Sequence, residues 1–133
     1  MRRAGVREKN MFTYSLKVAL RNERRFWGPG LARLMLLVDE SHSLNEAAHT
    51  MGMAYSKAWR VIKNAEKELG FSLLRRRVGG ADGGGSEVTP ECRRLVRQYL
   101  KFEQQLEQTA QQLFAECFSC DSEDGGESYA IES

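Results

Sequence analysis

A mainly helical fold with a small β component is what this 133-residue chain predicts, and three stretches predict it. "SLNEAAHTMGMAYSKAWRVIKNAEKELG" (43–70) sets two amphipathic segments on either side of a tight glycine turn, the pattern of a helix-turn-helix. "FSLLRRR" (71–77) and "SEVT" (86–89) then flank a glycine-rich run, as two short strands flank the tip of a β-hairpin. Beyond Thr89, the residues Leu95, Tyr99, Phe102, Leu106 and Leu113 recur at spacings of four and three, with Thr109 in the one polar slot, as along the seam of a long helix. Together these make a winged helix-turn-helix with an N-terminal strand and a long C-terminal dimerisation helix.

Each element has a local cause. Phe12, Tyr14, Leu16, Val18 and Leu20 alternate with Thr13, Ser15, Lys17, Ala19 and Arg21, the period of a half-buried strand. Gly28-Pro29-Gly30 punctuates the chain, and Leu31, Leu34, Met35, Leu37 and Val38 follow at helical spacing to about His42. Ser43 and Glu46 form a capping box, which starts a second helix that runs to Met51 and breaks at Gly52. A third helix ends at Gly70; Ala58, Val61, Ile62, Ala65 and Leu69 make its apolar stripe. Opposite stand Ser56, Arg60, Lys63, Asn64 and Lys67, with Lys57 on one flank and Trp59 on the other. Thr89 caps the long helix and Pro90 occupies its first position, where a missing amide costs nothing. The organisation expected is a basic arm (1–11), a winged domain (12–89), a dimerisation helix (90–117) and an acidic, unstructured tail (118–133).

Composition narrows the function. No apolar run approaches the roughly 18 residues of a membrane span, and "MRRAGVREKN" leads into no apolar signal core, so a cytoplasmic protein is expected. The net charge of +2 is unevenly spread: residues 1–27 hold eight bases against two acids, residues 54–77 seven against two, and the last sixteen five acids and no base. A basic face of this kind suits a polyanion. Cys92, Cys117 and Cys120 are odd in number and lack the further ligands that a zinc site needs, so they read as incidental thiols, with no cofactor and no metal. The glycine-rich run has no lysine followed by Ser or Thr and leads into a strand, which removes a nucleotide-binding loop. His42 and His49 stand near no paired nucleophile or carboxylate arrangement, and no enzyme is expected.

"FWGPG", the stretch 43–70, "LLRRRVGGADGGG" and "VTPECRRLV", in this order, resemble the amino-terminal DNA-binding domain of the molybdate-responsive regulator family ModE. That domain is similar to the winged helix-turn-helix of LysR-type regulators, as is "EKELGFSLLRR" here. The resemblance covers about residues 12 to 117 and implies a dimer on double-stranded DNA. Its recognition positions fall on Tyr55, Ser56, Lys57, Arg60 and Lys63, and its wing on Arg76, Arg77 and the glycines from Gly79 and Gly80 to Gly85. Trp59 matches a tryptophan that most often packs into the core.

Three departures qualify the resemblance. Ala54 stands where a serine usually caps the recognition helix, and Ala81 and Asp82 occupy a tip that is commonly basic. Only a short acidic stretch follows the long helix, so the family's molybdate-binding domains carry no effector over to this chain. The expectation is a sequence-specific regulator that dimerises through Leu95, Tyr99, Phe102, Leu106 and Leu113. The competing reading is a protein-interaction module working through the long helix and the tail.

Overall fold

The computed structural model describes residues 12–78 and 85–119. Its elements run β1 (Leu20–Arg21), β2 (Arg25–Trp27), α1 (Pro29–Ser41), α2 (Leu44–Thr50), α3 (Tyr55–Leu69), β3 (Leu74–Arg76), β4 (Ser86–Val88) and α4 (Pro90–Cys117). The described residues gather in two compact units, one within 17–102 and, separately, 12–16 with 103–119.

In the first unit the apolar stripes of all four helices close on one core. Leu34, Met35, Val38, Ile62, Leu73 and Cys92 lie at its centre, with Trp27, Leu44, Ala47, Ala48, Ala58 and Ala65 around them. Small residues on α2 and α3 allow these helices to approach closely, and burying the large ones supplies about 1.5–3 kcal/mol each. Caps hold the junctions. The Glu46 amide donates to Ser43 Oγ at 3.0 Å, as the capping box requires. The other half of that box is replaced: the Ser43 amide donates to Ser41 Oγ at 3.2 Å, because α1 ends close enough to supply the acceptor. Gly70 closes α3 in the left-handed region at φ 85°. Thr89 Oγ1 accepts from the Cys92 amide at 3.1 Å and donates to the Ser72 carbonyl at 2.7 Å, so one side chain caps α4 and ties it to the approach to β3.

The hairpin is antiparallel in the register Leu74↔Val88, Arg75↔Glu87 and Arg76↔Ser86. This puts Leu74 and Val88 into the core and leaves the arginines outside. The expected tip, with Gly79, Gly80, Ala81 and Asp82, lies outside the described residues.

Two expectations need correction. The alternating stretch 12–21 forms a strand only at Leu20–Arg21, paired irregularly with Arg25–Trp27. Alternation reports which side chains have something to pack on, but a strand also needs a neighbour for its amides and carbonyls. Within the second unit, residues 12–16 dock by side chain instead: Phe12 meets Phe114 and Phe118 edge-on at 6.2 and 5.4 Å, and Tyr14 donates to Glu107 at 2.7 Å. The second correction concerns the seam. Tyr99 is 2 % exposed, packs edge-on against Trp27 at 6.0 Å and donates its hydroxyl to the Val18 carbonyl. Leu95 packs on the same core. At the start of α4 the seam therefore faces inward, and Tyr99 is a core residue of its own chain.

Candidate nucleic-acid interface

α3 sorts its side chains as a helix with a single apolar stripe must. Ala58, Ile62 and Ala65 are buried and Val61 and Leu69 half-buried, while Tyr55, Ser56, Lys57, Arg60, Lys63, Asn64 and Lys67 are exposed. The five recognition positions expected from sequence thus share the outward side of one helix. Among the described residues neither Lys57 nor Arg60 has a salt-bridge partner, whereas Lys63 lies 3.3 Å from Glu66 and 4.9 Å from the centre of the Trp59 ring. Glu66 is held in turn, accepting from the Leu73 amide at 2.8 Å.

The helix begins without a side-chain cap. Ala54 has the extended backbone of an N-cap residue, φ −66° and ψ 145°, but no oxygen to offer. Ala54→Ser is expected to raise stability by about 1 kcal/mol, read as a higher urea midpoint with an unchanged slope.

Beside α3 stands the hairpin. Arg75 is engaged across the strands with Glu87 at 2.8 Å, while Arg76 and Arg77 are exposed and, among the described residues, without an acidic partner. Between hairpin and helix runs a groove of about 650 Å³ lined by Ser43, Asn45, Tyr55, Trp59, Arg76 and Ser86, among others. Sequence reasoning missed the polar wall from the start of α2. Trp59 packs against the core, as the resemblance implies, and its half-buried ring also forms one side of the groove.

The hairpin is anchored where the glycine run ends. Gly85 sits at φ 102°, and a Cβ there would lie 2.5 Å from the His42 carbonyl oxygen. That same oxygen accepts from the Ser86 amide at 3.0 Å, and the Gly85 carbonyl accepts from the Arg77 amide at 3.1 Å. His42 itself caps α1 in the left-handed region at φ 59°, which points its carbonyl outward. A period-2 pattern contains no trace of this anchor.

Cys92 lies inside the core, away from the outward side of α3. Burial, with Asp39 nearby, pushes the Cys92 thiol up to about 12, so it stays protonated in the core. Cys117 is exposed and Cys120 lies outside the described residues. Among the described residues no cluster of His, Cys, Asp and Glu could hold a metal ion, and no helix is long and apolar enough to cross a membrane.

Comparison with known proteins agrees with this arrangement. Residues 30–93 match the model of the bacterial regulatory helix-turn-helix proteins of the lysR family. The chain is 32% identical over 89 residues to the transcriptional regulator ModE of Haemophilus influenzae, covering 67% of this chain and 33% of that protein. It is 28% identical over 102 residues to the molybdenum transport protein ModE of Herbaspirillum seropedicae, covering 71% and 36%. It therefore spans about a third of the length of these relatives. The crystal structure of the BenM DNA-binding domain with benA site 1 DNA superposes with a TM-score of 0.50 at 26% identity, over 67% of this chain and 94% of that one. Order of elements, exposed face and match coincide: residues 30–93 are a helix-turn-helix domain of the lysR type, in a chain that is a homologue of ModE over the part they share.

Proposed function

We propose that this chain is a cytoplasmic transcriptional regulator, not an enzyme, that binds double-stranded DNA as a dimer, with α3 in the major groove and the hairpin on the adjacent backbone or minor groove. One observation carries this reading: Tyr55, Ser56, Lys57, Arg60 and Lys63 share an outward helix face beside a hairpin that exposes Arg76 and Arg77. Cations so placed neutralise phosphates and release counterions, while donors on the helix reach base edges. The solved relative in its DNA complex supports the same partner. The decisive experiment is a salt titration of the purified chain on duplex DNA. The observed log K should fall linearly with log salt, by about 0.9 per phosphate neutralised; no measurable duplex binding at low salt would refute the reading and leave the protein-interaction alternative.

Dimerisation is assigned to α4 beyond the core. Phe102 and Leu113 are 50% and 53% exposed, with half-buried Leu106 between them. Beyond the core, residues 102–117 of α4 make about 24 Å of helix at 1.5 Å per residue for a partner to meet. Leu106→Glu is expected to shift the protein to monomer in sedimentation equilibrium, and an unchanged mass would move the interface elsewhere. A two-fold protein reads a two-fold site, so DNA selected from a random pool should carry inverted half-sites.

A further inference from the structure

The outward face of α3 carries one group that does not fit a surface of cations and amides. Tyr55, the first residue of the helix, is an aromatic ring left 48% exposed. Among the described residues its hydroxyl has no hydrogen-bond partner, so the ring is not placed there to satisfy the oxygen. It is braced instead. Tyr55 and Trp59, one helical turn apart, meet edge-to-face with centroids 6.3 Å apart and planes at 87°. Trp59 is fixed in turn, packed against the core on one side and covered by Lys63 Nζ at 4.9 Å. A ring held by a second, immobilised ring loses little rotamer freedom when something docks on it.

The surroundings say what could dock. Ser56, Lys57, Arg60 and Lys63, exposed along the same helix, are cations and a hydroxyl suited to a polyanion, and Arg76 lines the groove that Tyr55 also lines, so the occupant is part of a nucleic acid and not an apolar peptide. Ala54 contributes no polar side chain at the helix start, which leaves the ring as the foremost group on that end. In the major groove the base edges are donors and acceptors with one exception, the 5-methyl group of thymine. An exposed apolar ring among polar neighbours has that one apolar complement.

We propose that Tyr55, held by Trp59, reads a thymine 5-methyl group in each half-site, making Tyr55 a specificity-determining residue and Trp59 its positioning residue. This assignment rests on the DNA-binding reading above. The ring supplies the contact and its hydroxyl does not.

The experiment takes a duplex selected from a random pool by the purified chain and a second copy of it synthesised with uracil for every thymine. That exchange removes methyl groups and leaves every hydrogen-bonding edge in place. Losing one buried methyl per half-site should weaken wild-type binding about four-fold for each, or about fifteen-fold for both. Tyr55→Ala should bind the two duplexes equally, Tyr55→Phe should keep the wild-type ratio, and Trp59→Leu should bring the ratio toward one. A wild-type ratio near one, or a full ratio retained by Tyr55→Ala, would overturn the assignment while leaving DNA binding intact. A full ratio in Trp59→Leu would overturn the brace. Failure of the wild-type chain to bind any duplex would sink the DNA-binding reading, and this one with it.

Discussion

Gly85→Ala is expected to cost about 2–4 kcal/mol of stability and to free the hairpin from the end of α1. Two penalties coincide at this position. A φ of 102° lies where L-residues are rarely found, and the new Cβ would sit 2.5 Å from the His42 carbonyl oxygen, a backbone atom that cannot swing aside. Retreat of the hairpin would relieve the clash but break the bond from the Ser86 amide to that oxygen. Gly52 provides the control, because it has a positive φ of 70° with nothing within 4 Å of its Cβ position. Gly52→Ala should therefore cost about 1 kcal/mol, from backbone strain alone. Chemical denaturation of the two variants, with hydrogen exchange at the Ser86 amide, tests the pair. Equal losses would show that the close approach at Gly85 contributes nothing.

A second large effect is expected on DNA, where Arg60→Ala and the double substitution Arg76→Ala with Arg77→Ala should fail in different ways. Arg60 lies mid-face on α3, where an arginine can span two acceptors on one guanine edge. Its loss should weaken the selected duplex by about 1–3 kcal/mol and leave random DNA nearly unchanged. Arg76 and Arg77 extend from a hairpin strand, where phosphates are the natural partners, and phosphate contacts carry no sequence information. Their joint loss should weaken both duplexes alike and flatten the salt dependence by about 0.9 per lost contact. Arg75 is the internal comparison. Its guanidinium is already engaged by Glu87, so Arg75→Ala should change the slope less than either neighbour. Equal losses on both DNAs for Arg60→Ala, or an unchanged slope in the double variant, would contradict this division of labour.

What the sequence made legible was local, and what it hid was pairwise. The helices that build the site announce themselves: Ser43, Gly70 and Thr89 act through groups within a few residues, and the stripe from Ala58 to Leu69 needs no knowledge of its partner to be recognised. The exposed side of α3 follows from that stripe by rotation alone. Tyr99 shows the limit of the same reasoning. Spacings of four and three mark one side of a helix, but they do not say whether that side meets Trp27 of its own chain or a second chain. The stretch before Leu20 shows it again, since alternation cannot tell a paired strand from a segment that docks by Phe12 and Tyr14. Trp59 packs against the core as expected, but a flank position on a helical wheel does not reveal that its other side lines a groove.

On the proposed DNA-binding reading, the bond from Ser86 to His42 has a consequence for how the domain would measure a duplex. His42 immediately precedes Ser43, the residue that starts α2, so the base of the hairpin and the helix-turn-helix are fastened to the same point in the backbone. That shared fastening restrains the separation between the strand bearing Arg76 and the face bearing Arg60, like the gap of a caliper. A duplex whose groove already matched that gap would meet both surfaces without strain. One that does not must widen, narrow or bend, at an energy set by the stiffness of base steps that no side chain touches. Selection among DNA sequences would then extend to positions outside every contact, and loosening the fastening should erase that part of the preference first.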